Sequence, residues 1–271
     1  MIGNNCGGAL QAACAAPLLT DDTLFDGRLV CRQHRDGYRF SIDAVLLAHF
    51  CQPAGQGKVL DLGCGCGVIG LILCCRHAGL HVTGLELQPA LARLARSNAE
   101  ANQLASRFDV RQGDLRHICG QFPPESFDLV VSNPPYHRAG SGRISVEDEC
   151  ALARHELTAD PDSVLAAAAF AVRNRGAVCC IYPAERLAAV LAVMARNKLI
   201  PKRLQPVCSY PEADRARLVL IEAVKNGGEG LRLQLPLHVY QRRNGPYSPE
   251  VARMYEADYA RSKHRLCFER V

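Results

Sequence analysis

The segment from Lys58 to His77 constrains the fold more than any other part of the chain. Lys58-Val59-Leu60-Asp61-Leu62 is a short strand-forming run, Gly63-Cys64-Gly65-Cys66-Gly67 is a glycine cluster, and Val68 to His77 is an apolar helix candidate. A strand that turns through glycines straight into a helix opens a β-α-β unit, whose next strand lies parallel to the first. The following sequence repeats that alternation. His81 to Glu86, Phe108 to Gly113, Phe127 to Ser132 and Gly176 to Tyr182 read as four further strands. Gln88 to Asn102 places Leu91, Leu94, Ala95, Asn98 and Ala99 at helical spacing, with Arg93, Arg96 and Glu100 elsewhere. Asp160 and Pro161 are the cap and first turn of a helix running to Arg173, and Ala184 to Asn197 is another.

Leu204 to Tyr210 and Arg217 to Val224 are strand candidates with no helix between them, which predicts an antiparallel pair at one edge. The expected fold is therefore α/β, a doubly wound, mostly parallel, seven-stranded Rossmann-like sheet with an antiparallel edge strand. The continuous apolar character of Leu129–Val131 and Val178–Ile181 fits strands covered on both faces. Residues 1–22 are small and polar and read as a poorly ordered tail, leaving 23–271 as a single domain. Asn226-Gly227-Gly228-Glu229-Gly230 reads as a flexible break before a basic C-terminal segment that starts at about residue 226.

Composition narrows the class. The chain has 271 residues, 48% hydrophobic and 22% charged, which excludes collagenous, repetitive and largely disordered proteins. Met1 to Asp22 has no Lys or Arg, so it lacks the basic start of a signal peptide. The longest apolar runs, Val68–Cys75 and Val164–Val172, fall short of the ~18–20 residues that span a bilayer. The 14 cysteines include the adjacent pairs Cys74–Cys75 and Cys179–Cys180 but no CxxC spacing, so no metal site is expected. Most sit beside apolar residues, as reduced core cysteines of a cytoplasmic protein do.

The glycine cluster admits two ligands. Gly65-Cys66-Gly67-Val68-Ile69-Gly70 matches the GxGxxG dinucleotide fingerprint, and Glu86, 21 residues after Gly65, has the spacing of a ribose acceptor. A nicotinamide enzyme is one reading. Asp61 argues for another, because the run Asp61-Leu62-Gly63-Cys64-Gly65-Cys66-Gly67 would set a carboxylate against a pyrophosphate. S-adenosylmethionine has no phosphate, and its ammonium and sulfonium suit a nearby carboxylate. Gly63, Gly65 and Gly67 would let the backbone approach it closely. Glu86 would accept the ribose hydroxyls, and Asp114, after the third strand, the adenine amino group. Asp114 also fits a plain helix N-cap.

Directly after the fourth strand comes Asn133-Pro134-Pro135-Tyr136. An exocyclic amine delocalises its lone pair into the ring and is a poor nucleophile. Two acceptors on its N–H groups, the Asn133 side-chain oxygen and the Pro134 carbonyl, would help rehybridise and aim it. Pro134 and Pro135 fix φ and remove amide donors, which holds that carbonyl outward, and Tyr136 can stack on the target ring. Behind this glycine loop the tetrad resembles the class I methyltransferases of planar amine or amide nitrogens: adenine N6, guanine N2 of rRNA, and the glutamine amide of release factors.

Flanking segments choose among these branches. Leu24-Phe25-Asp26-Gly27-Arg28-Leu29, Gly37 to Ala48, Ala151-Leu152-Ala153-Arg154-His155-Glu156 and Tyr247-Ser248-Pro249-Glu250 together resemble the bacterial tRNA(Val) adenine-N6 methyltransferase family, over about residues 24–225. The resemblance implies that Phe40 and Asp43, with Asn133, border the cofactor, and that Arg154 and His155 lie near the substrate after a loop at 138–150. Whether His155 acts directly or structurally stays open. The implied partner is tRNA, with no membrane. From Arg196 to Val271 fifteen Lys and Arg face eight Asp and Glu, whereas the preceding part is close to neutral. Lys198, Lys202, Arg203, Arg242, Arg243, Arg261, Lys263 and Arg265 are thus candidates for phosphate contacts. Cys64 and Cys66 occupy the variable positions of the glycine loop, and exposed thiols there would be open to alkylation.

Overall fold

The structure, a computed structural model, describes residues 19–35, 40–135 and 160–257. A hairpin of β1 (Leu19–Leu24) and β2 (Leu29–His34) precedes helix α1 (Ile42–Phe50). Then follow β3 (Gln56–Leu62), α2 (Val68–Arg76), β4 (Gly79–Glu86), α3 (Pro89–Ala101), β5 (Phe108–Gln112) and β6 (Phe127–Ser132). After residue 160 come α4 (Pro161–Ala171), β7 (Val172–Pro183), α5 (Leu187–Arg196), β8 (Leu199–Cys208) and β9 (Leu218–Lys225). The short β10 (Arg232–Leu233), β11 (Leu237–His238) and α6 (Pro249–Arg253) complete the described chain.

The seven long strands β3 to β9 form the expected doubly wound sheet, in the order β5-β4-β3-β6-β7-β9-β8. Two features differ from expectation. The antiparallel strand is β9, and it lies inside the sheet, paired antiparallel to β7 on one side and to β8 on the other. The edge strand β8 consequently runs with the parallel set. The sheet also has nine strands among the described residues, because β10 and β11 both pair parallel to β8. Residues 226–230 are thus no loose break: the Lys202 ammonium donates to the carbonyls of Gly228 and Glu229, and the chain turns back onto β8. The expected N-terminal tail overlaps β1, which pairs with β2 from Leu19↔His34 to Leu24↔Leu29.

The sheet separates two cores. On one face α1, α2, α3, the β1–β2 hairpin and the C-terminal segment bury Leu29, Val45, Leu71, Leu94 and Val251. On the other, α4 and α5 bury Leu165, Val190 and Met194 against Leu60, Val130 and Ile221. Ser41 caps α1 and Asp160 caps α4, each side chain accepting from a first-turn amide. Alternation along β3 sends Val59 and Asp61 to the α2 face and Leu60 and Leu62 to the other. The strand order reverses at β3, so the loops after β3, β4 and β6 open at one crevice, where open α/β sheets bind ligands.

Candidate active site

Gly63, Gly65 and Gly67 all have positive φ (73°, 57° and 87°), which only glycine adopts freely, so the spacing of the cluster is a backbone requirement. Their surroundings divide the work. A Cβ on Gly63 or Gly65 would meet nothing within 4 Å, so the chain here borders open space. A Cβ on Gly67 would lie 2.9 Å from Phe108, and one on Gly70 2.5 Å from the same ring. Gly67 and Gly70 therefore serve the close seating of α2 on β5, and the surface left for a ligand belongs to Gly63 and Gly65. The loop is tied to the end of β4 by Gly63 and Cys64 amides donating to the Leu85 carbonyl (2.8 and 3.2 Å).

Asp61 lies beneath this loop. It is fully buried and neither carboxylate oxygen has a hydrogen-bond partner. Burial, and secondly the Glu86 carboxylate, push its carboxyl up to about 7, opposed by the Gly70 amide in the first turn of α2. Glu86 is buried at the end of β4 and accepts from the Gly65 amide and the Gln88 amide, both at 2.9 Å. One carboxylate thus pins the glycine loop to the start of α3 and keeps lone pairs for a ligand. Burial raises its pKa, and the amides of Gln88, Gly65 and Leu87 lower it.

The orphaned acid under an open glycine cradle fits a cationic ligand better than a pyrophosphate. It fits S-adenosylmethionine, with Asp61 supplying negative field from below, Gly63 and Gly65 the close backbone and Glu86 the hydroxyl acceptor. Asp114 fits less directly. It is the N-cap of a 3-10 turn (Leu115–Gly120), and its oxygens accept from the Arg116 amide and guanidinium at 2.5 to 3.1 Å. That arginine holds its carboxyl below the usual range.

At the end of β6, Asn133 is half-buried, Pro134 buried and Pro135 exposed. The Ser132 hydroxyl donates to the Leu62 carbonyl at 2.9 Å, which locks the strand end carrying Asn133 to the one carrying the glycine loop. Nothing in the local sequence marks that serine. Asp43 lies in the first turn of α1, where burial raises its pKa. Arg76 near the end of α2 donates to Ala48 near the end of α1 at 2.6 Å, and the two helices pack together. Their N-termini, with Asp43 and Gly67, therefore face the same end. Phe40 packs half-buried on that core, its amide held by the Gln33 side chain at 2.6 Å. Tyr136, Arg154, His155 and the loop at 138–150 lie outside the described residues.

The sequence reading missed one tie. Asn98 of α3 donates to the Cys66 carbonyl (2.9 Å) and the Arg32 carbonyl (3.0 Å) and accepts from the Arg32 amide (3.0 Å). Asn102, one turn on, makes the same pair of bonds with Val30 at 2.9 and 2.7 Å. Cys64 and Cys66 are buried, Cys64 against Gly84 and Cys66 with its sulfur 3.6 Å from that of Cys31. Among the described residues the exposed thiols are Cys75 and Cys119.

The basic candidates separate. Arg203 is no phosphate contact: it is buried, bonded to Glu222 and the Phe50 carbonyl, and stacked on the Phe50 ring. Lys202 is spent on loop carbonyls, and Lys198 precedes β8, at the sheet end opposite the crevice. Arg242 and Arg243 are exposed, and Arg261, Lys263 and Arg265 lie outside the described residues. Among the described residues no cluster of metal-ligating side chains occurs and no helix is long and apolar enough to cross a membrane.

Residues 41–165 match the family model of the methyltransferase small domain. The chain is 30% identical over 227 residues to a tRNA1(Val) (adenine(37)-N6)-methyltransferase of Yersinia pestis, covering 83% of this chain and 88% of that one. It is 29% identical over 233 residues to the protein of the same name from Porphyromonas gingivalis, with 83% and 89% covered. Among solved structures, a predicted O-methyltransferase from Agrobacterium tumefaciens superposes with a TM-score of 0.65 at 21% identity, over 81% of this chain and 97% of that one. The [4+2]-cyclase SpnF shares the fold at a TM-score of 0.50 and 15% identity, over 68% and 81%. One fold carries methyl transfer and cyclisation, so the reaction is read from the site.

Proposed function

The chain belongs to the bacterial tRNA1(Val) (adenine(37)-N6)-methyltransferase family and is an S-adenosylmethionine-dependent methyltransferase, and from that premise we propose that it methylates the exocyclic N6 of an adenine in tRNA, adenine 37 of the tRNA(Val) anticodon loop. The observation that carries the reading is the juxtaposition at the crevice. An open glycine cradle over the buried Asp61 is locked, through Ser132 and Leu62, to the strand that presents Asn133-Pro134-Pro135.

S-adenosylmethionine supplies an electrophilic methyl group. The protein's part is positioning. Glu86 and the backbone at Gly63 and Gly65 hold the cofactor, and Phe40 and Asp43 border it, with Asp114 beside the adenine end once Arg116 yields a lone pair. The Asn133 side-chain oxygen and the Pro134 carbonyl accept the two N6 hydrogens, which aims the lone pair. Tyr136 stacks on the extruded base, with Arg154 and His155 near the substrate. Alignment of this kind supplies up to ~7–11 kcal/mol in the best intramolecular cases. We place the reaction in the cytoplasm, where tRNA is modified and buried thiols stay reduced.

Nucleoside mass spectrometry of tRNA from cells with and without the protein tests the reading. Loss of N6-methyladenosine on deletion supports it; unchanged tRNA with lost methylation of rRNA guanine N2 or of a protein glutamine overturns it. Asn133→Ala should keep cofactor affinity and lower turnover by roughly 10²–10³, as loss of one preorganised polar contact does. Undiminished turnover would remove Asn133 from the mechanism.

A further inference from the structure

The segment after β11 builds a feature for which methyl transfer has no use. β11 pairs with the last residues of β8, Leu237↔Val207 and His238↔Cys208, so the chain leaves it at the carboxyl end of the sheet, where the crevice opens. The pairing continues past the strand, with Val239 and Tyr240 amides donating to the carbonyls of Cys208 and Ser209. Tyr240 and Tyr247 then form an antiparallel bridge, and the Gly245 amide closes a turn on the Arg242 carbonyl at 3.0 Å. Asn244 takes the positive φ (54°) that this turn requires. Ser248 caps α6, whose Val251 is buried in the core with Met254, so the base of the hairpin is anchored. Its tip, Arg242-Arg243-Asn244, is exposed.

At that base three tyrosines form a column. The rings of Tyr240 and Tyr247 stack at 5.4 Å and 20°, and those of Tyr247 and Tyr255 at 5.5 Å and 10°. Tyr240 and Tyr247 each keep 37% of their surface exposed. Tyr240 ends the column and keeps exposed surface against which a further ring could pack. Two guanidiniums next to an exposed aromatic face match a nucleic-acid strand, with phosphate for the arginines and a base for the ring.

We propose that the Tyr240–Tyr247 hairpin is a single-stranded RNA docking element, in which Tyr240 stacks an unpaired base outside the catalytic crevice and Arg242 and Arg243 hold the flanking phosphates. The proposal rests on the tRNA reading above and names a second contact for the same substrate. Tyr240 continues β11, one strand beyond β8, so it stands four strands from β6 in the order β6-β7-β9-β8-β11, a span of roughly 19 Å at ~4.8 Å per strand. A base at Asn133 and a base on Tyr240 are thus separated by a distance that one RNA loop bridges.

Fluorescence anisotropy with an unmodified tRNA transcript, on the full chain, tests it. Tyr240→Leu should weaken binding roughly tenfold, as loss of one base–aromatic stack does, and Tyr240→Phe should restore it. Arg242→Ala with Arg243→Ala should make the dependence of log K on log salt shallower by about one to two. S-adenosylmethionine affinity and the melting temperature should stay at wild-type values, with the loss falling on KM for tRNA. If wild-type protein methylates tRNA while both variants bind it as wild type does, the hairpin assignment is wrong and the enzymatic reading stands. If wild-type protein neither binds nor methylates tRNA, both are wrong. A fall in melting temperature and cofactor affinity together with RNA binding would make the column a structural prop and would also overturn the assignment.

Discussion

Asp61 has no exposed surface, and its carboxyl is pushed up to about 7 by burial first and Glu86 second. A folded-state pKa above the unfolded value of 3.8 means that the folded form binds more protons between about pH 4 and pH 7. The associated stability is fully present below that window and is lost as pH rises through it. Asp61→Asn should therefore flatten the decline and make the free protein more stable at pH 8 by about 2–4 kcal/mol. Urea unfolding of both proteins at pH 5 and pH 8 measures this, and a variant no more stable than wild type at pH 8 would contradict it. Cofactor binding to the wild type at pH 7 should also release about half a proton, seen by calorimetry in buffers of different ionisation enthalpy. The positions of Asp61, Glu86 and the tetrad were legible because strand, turn and helix signals bracket them. That Asp61 lies under the loop was not, since burial of one side chain depends on α2 closing over it. Asp114 is the cap of its turn, and Arg116, two residues on, reaches back to it.

The side chains of Asn98 and Asn102, one turn apart on α3, act as a substitute strand. Each offers an amide N–H and an oxygen to the backbone of β2, at Arg32 and Val30, and so covers an edge that would otherwise stay unpaired. Asn98 also reaches the Cys66 carbonyl, which couples the hairpin, the helix and the glycine loop. Asn98→Ala leaves an amide and two carbonyls without partners and should cost at least about 3 kcal/mol, at ~1–3 kcal/mol per buried orphan. Asn102→Ala, which does not touch the loop, should spare cofactor affinity, whereas Asn98→Ala should reduce it. Equal affinities for the two variants would show the coupling to be absent. The sequence placed Asn98 on the inward stripe of α3, but its partner lies 66 residues away in the hairpin. That hairpin escaped the reading because the inward positions of β2 are Leu29, Cys31 and the polar Gln33, which breaks the apolar alternation.

At the scale of the molecule the alternation of strands and helices specified the sheet, and two things lay beyond its reach. Adjacent strands without a helix pair antiparallel, yet the pattern does not say which of them takes the edge; β9 is more deeply buried than β8 and takes the inner place. Net charge along the chain located a basic quarter, but partners such as Glu222 and the carbonyls of Gly228 and Glu229 absorb part of it. The inner position of β9 also sets an order of events. β8 touches the long strands only through β9, so residues 199–208 have no place in the sheet until residues 218–225 are available. Pulse-labelled hydrogen exchange during refolding should protect β3, β4 and β6 before β8, and protection of β8 first would exclude this order. During synthesis the strands that build the crevice can assemble while the outer edge of β7 is bare. The interval between the emergence of β7 and that of β9 is when a nascent chain is most exposed to pairing with a neighbour.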